Sequence, residues 1–500
     1  MNKKMAIIDL GSNSVRMIIM MILEDGSYKM LDQIKEMVRL SEGMGKDNIL
    51  KPLAIKRTIY TLKLFRKLID VHDVKEIYGV ATAAVRNAKN QKEFLNEVKI
   101  KTGFEFKVIT GEEEGYYDYL GVINTIDIKN CVMIDTGGAS TEIGIVFNRK
   151  LENVISLPYG AVVLTERFDN ELKNNNHVEK FIKNKYKEIP WLIKGKKFPV
   201  VGLGGSIRTL AKVHKREIGF PLEGLHNYRM NFEDVKGIYK KIISTDVNER
   251  KNIPGISKSR GDIIGKGLAP IKVLMEFLGS KKLIISGNGL REGIFYKHYI
   301  KDNKENTLEV LNHSLENILK NYSVNIKHSY HVQKLSISLF EQLKSLHKMG
   351  ENEKKILKVG ALLHDIGMCV DYYNHHNHGF YLVLNSRIYG LTNRELVMCA
   401  FIVGMHRNTD LKKDWRNFKI IINKNDYEII KKLSLLVKIA EKLDRSEYGN
   451  VEDIICNITK KNIVMTLKTN STSELEIASI MKNEKDFEKI FDRTLIINKY

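Results

Sequence analysis

Two stretches decide the fold: IIDLGSNSVRMIIM (Ile7–Met20) and MIDTGGASTEIGIV (Met133–Val146). Each is an apolar run, an aspartate, a cluster of Gly and hydroxyl residues, and a second apolar run. Short apolar runs bounded by turn residues read as buried strands. A hairpin whose turn carries Asp and Gly therefore occurs twice. Backbone N–H groups of a Gly-rich turn can approach a phosphate closely, and hydroxyl side chains add donors. Asp9 and Asp135, at the strand ends, can hold a divalent cation directly or through water. Either turn alone could be a hairpin without a ligand. The pair points to two related α/β lobes around a phosphate-binding cleft, with Gly11, Ser12, Asn13 and Ser14 in one turn and Gly137, Gly138, Ser140 and Thr141 in the other. A third Gly turn, VGLGGSIR (Val201–Arg208), adds Gly204, Gly205 and Ser206.

The chain has 500 residues, enough for several buried cores, with an ordinary globular balance of 43% hydrophobic and 28% charged residues. Lys and Arg number 81 against 60 Asp and Glu, a net charge of +21. This excludes an acidic disordered chain and favours a polyanionic partner or substrate. Basic residues interleaved with aromatics are absent, so no specific nucleic-acid reader is expected. Cys131, Cys369, Cys399 and Cys456 are scattered without a C-x-x-C pair, which fits a reducing cytoplasm. The apolar start carries Asp9, Arg16 and a Gly-Ser-Asn-Ser break. It predicts strand, turn and strand rather than a membrane span or signal peptide, and a cytoplasmic protein is expected.

Outward from the two hairpins, helical periodicity covers Ala54–Asp70. IYGVATAAVR (Ile77–Arg86) reads as a strand entering a helix, and a strand to Thr110 precedes a helix opened by Glu112, Glu113 and Glu114. Phe198–Val213 and Lys282–Tyr296 repeat the strand, Gly turn and helix layout. After about residue 300 the pattern becomes helical. Near the end, Asp453–Thr459 and Asn462–Lys468 read as strands and Glu484–Phe491 as a helix. The expected domains are lobe I at 1–125, lobe II at 126–303, a helical domain at 304–450 and a small α+β segment at 451–500. A homodimer is expected, two-fold dimers being the commonest soluble assembly.

Hydrolysing a phosphoanhydride needs a positioned water, a base and charge neutralisation. Glu142 leaves the second turn, and Glu113 and Glu114 begin a helix; capping of that helix is the competing reading for the acidic group. Arg16, Arg86, Arg208, Arg260, Lys266 and Arg291 stand near turns. Each alone reads as a solvated charge, but their placement favours Arg86 and Arg260 as phosphate ligands.

Eight blocks come in order: IDLGSNSVRMII, GVATAAVRNAKN, ITGEEEGYYDYLGV, IDTGGASTEIGI, SLPYGAVVLTERF, VGLGGSIRTLAKV, RGDIIGKGLAPI and ISGNGLREG. Together they resemble the exopolyphosphatase / guanosine pentaphosphate phosphohydrolase family, densely over Ile7–Gly293 and more loosely beyond. The resemblance implies an actin-like two-lobed core, a Mg²⁺ requirement, and removal of terminal phosphate from inorganic polyphosphate or pppGpp. It places the catalytic glutamate on Glu114 with Glu113 beside it. The acid closing the D-x-G-G-G-S-T-E block falls on Glu142, and the phosphate and metal turn on Asp135, Gly137, Gly138, Ser140 and Thr141. The arginine after A-T-x-A-x-R is Arg86. Ala139 replaces the family's usual third Gly, and must avoid positive φ or accept strain. Gly115 and Tyr116 stand where Ala and Arg are common.

The rear region holds 9 of the 14 histidines. His328, His364-Asp365 and Asp444 come in the order H…HD…D, which resembles the HD phosphohydrolase superfamily. That resemblance implies a second divalent or transition metal on these four residues. His328 fits the spacing better than His331. His375, His376, His378 and His406 lie nearby, while His298, His313 and His347 read as packing or surface groups. A relic site is the competing reading, because many family members carry His-Glu in place of His-Asp.

The leading expectation is a Mg²⁺-dependent exopolyphosphatase with Glu114 activating water, and the alternative enzyme is a pppGpp 5′-phosphohydrolase. From other classes, a non-catalytic sensor of polyphosphate or (p)ppGpp disagrees with the intact Glu114, Glu142 and Asp135, and a sugar kinase disagrees with the order of the blocks.

Overall fold

The computed structural model describes residues 2–168, 175–300, 307–407 and 414–499. It divides into two compact units, Met1–Val310 and Leu311–Tyr500. The boundary expected at 303/304 falls on residues outside those described.

The first unit holds two sheets built on one plan. In the first, β1 (Lys3–Leu10), β2 (Ser14–Ile22), β3 (Tyr28–Met37), β4 (Glu76–Ala81) and β5 (Phe106–Val108) stand in the order β3-β2-β1-β4-β5. The second contains β6 (Cys131–Thr136), β7 (Thr141–Phe147), β8 (Lys150–Leu157), β9 (Val200–Leu203), β10 (Tyr228–Asn231) and β11 (Lys282–Ile285), in the order β10-β11-β9-β6-β7-β8. β1 pairs antiparallel with β2 and parallel with β4; β6 pairs antiparallel with β7 and parallel with β9. The sequence echo is therefore a structural duplication, with β10 added at one edge. β10 was not visible in the sequence, because its four residues alternate in burial only through tertiary pairing.

The central strands are apolar on both faces because helices cover both. Ala6, Ile8 and Leu10 pack with Leu62, Phe65 and Ile69 of the helix Pro52–Val71. Met5 and Ile7, on the other face, pack with Ile294, Phe295 and Tyr296 of the helix Leu290–Tyr299.

That last contact corrects the expected boundary at 125/126. The helix Leu290–Tyr299, assigned by sequence to lobe II, lies on the first sheet. The helix Gly111–Ile123, assigned to lobe I, lies on the second: Leu120, Val122 and Ile123 pack with Met133, Val146 and Val201. The two helices also pack on each other, and a Cβ on Gly121 would stand 2.5 Å from the Gly289 carbonyl oxygen. Short apolar faces do not name the sheet they will cover, so sequence order assigned each helix to the nearer sheet.

In the second unit, helices including Ile326–Gln342, Glu351–Leu362, His375–Asn385, Asn393–Met405 and Lys424–Leu443 precede a three-stranded sheet. Its strands β12 (Val451–Ile458), β13 (Asn462–Thr469) and β14 (Thr494–Lys499) stand in that order. The expected helix Glu484–Phe491 is present; the helix Glu474–Met481 and β14 are additions. No helix among the described residues is long and apolar enough to cross a membrane. All four cysteines are free.

Candidate active site

The two hairpin turns close alike. Gly11 N–H donates to the Ser14 carbonyl at 3.2 Å, and Gly137 N–H to the Ser140 carbonyl at 3.0 Å. They also meet: a Cβ on Gly138 would stand 3.1 Å from Ser12 Cβ. Ala139 is not among the positive-φ residues, so replacing the third Gly strains nothing. Strand register sets Arg16 opposite Asp9 and Glu142 opposite Asp135. The duplicated hairpins thus carry a cation and an anion at equivalent places.

The turns frame a cleft of about 900 Å³, open to solvent. Asp9, Gly11, Ser12, Asn13, Ser14, Glu114, Asp135, Gly137, Gly138, Ser140, Gly204, Gly205 and Arg260 all line it. Gly204 has φ +81°, a conformation glycine accepts without a Cβ penalty, and a side chain there would strike the Asp135 carboxylate. Gly205 leaves room for the Arg260 guanidinium.

Five expected residues are placed otherwise. Glu113 turns away and caps its helix: Thr110 N–H donates to Glu113 Oε2 at 2.9 Å, Glu113 N–H donates to Thr110 Oγ1 at 3.1 Å, and Lys107 holds the carboxylate at 2.6 Å. The capping reading therefore applies to Glu113, while Glu114, one position along, faces the cleft. Thr141 Oγ1 donates to the Tyr159 carbonyl at 2.6 Å, and Ser206 is buried beneath its turn. Glu142 is buried behind the cleft wall and accepts from Ser156 Oγ at 2.7 Å. Arg86 is not itself a lining residue; its Nη1 donates to Glu114 Oε2 at 3.3 Å.

The sequence reading missed Asp118 and undervalued Arg208 and Arg291. Asp118 stands one helical turn after Glu114, so both project from one face. That spacing was the available signal. Its Oδ1 is buried with no hydrogen-bond partner. Arg208 and Arg291 are not solvated charges: both line the cleft, and burial with Arg16 nearby pushes Arg208 down to about 10. Lys266 instead donates to Asn175 Oδ1 at 2.7 Å, away from the turns.

The site's carboxylates share one electrostatic condition. Burial raises Asp9, Glu114, Asp118 and Asp135 above their ordinary values, and Glu142 to about 7. Mutual repulsion adds to this: Glu142 raises Glu114, and Asp135 raises Asp118 and Glu142. Such a set offers oxygen donors to a hard cation and gains most when one binds. The unpartnered Asp118 Oδ1 fits the same purpose. Asp9, Asp135 and Glu142 do not converge into a close donor triad; among the described residues such triads occur only around Asp365. A cation here therefore fits as one held by one or two carboxylates with water and phosphate oxygens, the usual manner of Mg²⁺.

In the second unit, His328, His364 and Asp365 do come together. His328 Nε2 and His364 Nε2 are 3.3 Å apart, at 3.7 and 3.4 Å from Asp365 Oδ2. Asp444 joins them beside His328: its Oδ2 accepts from His328 Nδ1 at 2.7 Å and its Oδ1 from Gly449 N–H at 2.8 Å, and it lines the same pocket as His328 and Asp365. His331, the other candidate on that helix, points its Nε2 at the Val451 carbonyl.

Duplicated mixed sheets, paired Asp-Gly turns and a cleft between them define a two-lobed, actin-like α/β protein that handles phosphate. The chain belongs to the Ppx/GppA phosphatase family: residues 19–302 match the family's model and residues 310–488 its domain III. This makes it a hydrolase acting on phosphoanhydride bonds. It is 29% identical over 417 residues to the guanosine-5′-triphosphate,3′-diphosphate pyrophosphatase of Pseudoalteromonas translucida, covering 82% of both chains. The Aquifex aeolicus member of the Ppx/GppA family is 33% identical, with a TM-score of 0.53 over 61% of this chain and 99% of the other. An exopolyphosphatase from Cytophaga hutchinsonii, 23% identical, shares the fold with a TM-score of 0.56 over 60% and 98% of the two chains.

Proposed function

We propose that the cleft removes the terminal phosphate from inorganic polyphosphate, with Glu114 as the base toward water and Mg²⁺ as the cofactor. The observation that carries this reading is the set of guanidinium groups lining one cleft: Arg16, Arg208, Arg260 and Arg291. Burial lowers Arg208, Arg260 and Arg291, so these cations are held partly desolvated and beside one another. A polyanion relieves that repulsion, and a chain of phosphates relieves it better than a single one.

The terminal phosphate lies against the turn amides of Gly11–Ser14 and Gly137–Ser140. One or two of the carboxylates Asp9, Asp118 and Asp135 would hold the cation, the rest reaching it through water, and the cation when bound would neutralise charge on the phosphate oxygens. Glu114 draws a proton from the attacking water. Burial and the charge of Glu142 raise its proton affinity, which suits a base, and Arg86 keeps the carboxylate oriented. Leaving-group charge falls among the arginines.

A second reading, pppGpp as substrate, rests on the named relative and on an adjoining pocket of about 610 Å³. That pocket shares Asn13 and Ile263 with the cleft and adds Arg39, Ser41, Val162 and Thr165 together with the carboxylates Glu42, Glu166 and Asp262, a mixed surface whose acceptors suit the hydroxyl and amino groups of a nucleoside. Orthophosphate release by the full chain with Mg²⁺, from long polyphosphate and from pppGpp in parallel, decides between them. Release from polyphosphate at the higher kcat/KM supports the first reading, and preference for pppGpp replaces it. No release from either removes both.

A further inference from the structure

Lys35 is held among cations. On the edge strand β3 it pairs with Arg16 of β2, and Arg16 pairs with Asp9 of β1. Residues directly opposite one another across an antiparallel pair project to the same face of the sheet. Asp9, Arg16 and Lys35 therefore form one row, two strand spacings or about 10 Å long. Asp9 and Arg16 line the cleft; Lys35, one strand farther out, does not.

A second row leaves the same cleft. The helix Gly204–Ile218 begins at the Gly204-Gly205 turn, with Arg208 one turn along it in the cleft lining and Lys212 one turn further, outside the lining. Residues four apart share a helix face, and each such step rises about 6 Å.

The two rows converge. Lys35 reaches solvent, yet desolvation, and then the charges of Arg16, Arg260, Arg208 and Lys212, push it down to about 8. Among the described residues no carboxylate is one of the groups that act on it most strongly, and neither Lys35 nor Lys212 has an ion-pair partner. Like charges this close repel, because salt screens them only beyond about 8–10 Å. The repulsion is relieved when one polyanion lies across all of them. A single phosphate at the hairpin turns cannot do this, since a row of about 10 Å exceeds its reach.

We propose that Lys35 and Lys212 form a further anionic subsite outside the cleft, between β3 and the helix Gly204–Ile218, which holds the phosphate groups that follow the terminal one in a polyphosphate chain. It rests on polyphosphate as the substrate of the cleft. The terminal phosphate lies at the Gly turns, the next groups pass Arg16 and Arg208, and the chain leaves over the two lysines. Lysine suits that position. Its ammonium is a flexible point charge that meets a sliding chain in any register, whereas the guanidinium forks inside the cleft fix geometry. The subsite adds affinity only for chains long enough to reach it.

Equilibrium binding by the full chain, in chelator so that nothing is turned over, tests this with tripolyphosphate, long-chain polyphosphate and pppGpp as probes. Lys35→Ala combined with Lys212→Ala is expected to weaken long-chain binding about tenfold or more and to leave tripolyphosphate binding within about twofold. Lys35→Arg combined with Lys212→Arg keeps both charges and is expected to keep the long-chain affinity. Lys194→Ala combined with Lys196→Ala removes the same charge beside Gly195, which packs on Val132 at the opposite end of β6 from Asp135, and serves as the control. Melting temperatures establish that each variant folds. A long-chain loss no greater than the control's overturns the subsite. So does an equal loss for tripolyphosphate, which would put the lysines in the cleft itself. Binding of pppGpp weakened as much as that of the long chain overturns the polymer as occupant. Wild type that binds neither polyphosphate removes the substrate reading and the subsite with it; that failure is distinct, because it shows before any lysine is changed.

Discussion

Arg86 Nη1 stands 3.3 Å from Glu114 Oε2 while the same nitrogen donates to the Ile109 carbonyl at 2.8 Å. The guanidinium is thus anchored on the backbone and holds the one glutamate of the acidic run that faces the cleft. Its charge also lowers the proton affinity that burial and Glu142 raise. Glu114→Gln is expected to lower kcat by roughly 10²–10⁴-fold with little change in KM. Arg86→Ala is expected to lower kcat and move the acidic limb of the kcat/KM profile to higher pH. Steady-state phosphate release across pH measures both; an unmoved limb would detach Arg86 from Glu114.

Glu113 is the built-in contrast, one residue away. Its work is the capping box with Thr110. Glu113→Ala should leave kcat within about twofold and cost roughly 0.5–1 kcal/mol of stability. A large kcat loss with an unchanged melting temperature would return it to the catalytic group.

Gly204 combines φ +81° with the Asp135 carboxylate lying where a side chain would start. Gly204→Ala carries a left-handed penalty of roughly 1–2 kcal/mol and displaces Asp135. The expected result is a lower melting temperature together with a higher Mg²⁺ requirement for phosphate release. Wild-type Mg²⁺ dependence would contradict Asp135 as a cation ligand.

Glu142 gives a pH dependence of stability. Burial, with the charge of Asp135, raises it from 4.5 to about 7. Between those values the native chain holds a proton that the unfolded chain has released. Its contribution to stability is therefore full below the unfolded value and is lost as pH rises through about 7. Glu142→Gln is expected to melt with the wild type near pH 4 and above it near pH 8, by on the order of 1–3 kcal/mol. Differential scanning calorimetry without Mg²⁺ or phosphate reads the difference, and a constant offset across pH would contradict the assignment.

Arg208 and Arg260 face the cleft from the helix Gly204–Ile218 and from the segment before Ile264. Arg208→Ala and Arg260→Ala are expected to raise KM for long polyphosphate about tenfold or more and to flatten its dependence on salt. Initial rates at two ionic strengths check this; an unchanged KM would place the substrate elsewhere.

Residues that share a short continuous motif were legible in advance. Asp9 and Asp135 are fixed by the strand ends on which they sit, and the turns that follow them close by local hydrogen bonds. Glu114 was found beside its motif, but not separated from Glu113, because capping and cleft-facing positions are adjacent on the helix. Asp118, Arg208 and Arg291 gained their roles only from burial.

The duplicated strand, turn and strand units and the Gly turns follow from local sequence, because these rest on apolar runs and backbone preferences acting within a few residues. Tertiary structure alone decided that the helices Gly111–Ile123 and Leu290–Tyr299 each cover the sheet sequence order did not assign to them, and so that Glu114 and Asp118 enter the cleft. It also gathered His328, His364, His375 and His406 around one carboxylate. Which apolar face a helix covers, and which imidazoles meet, depends on packing between segments far apart in the chain, and no local pattern encodes that distance.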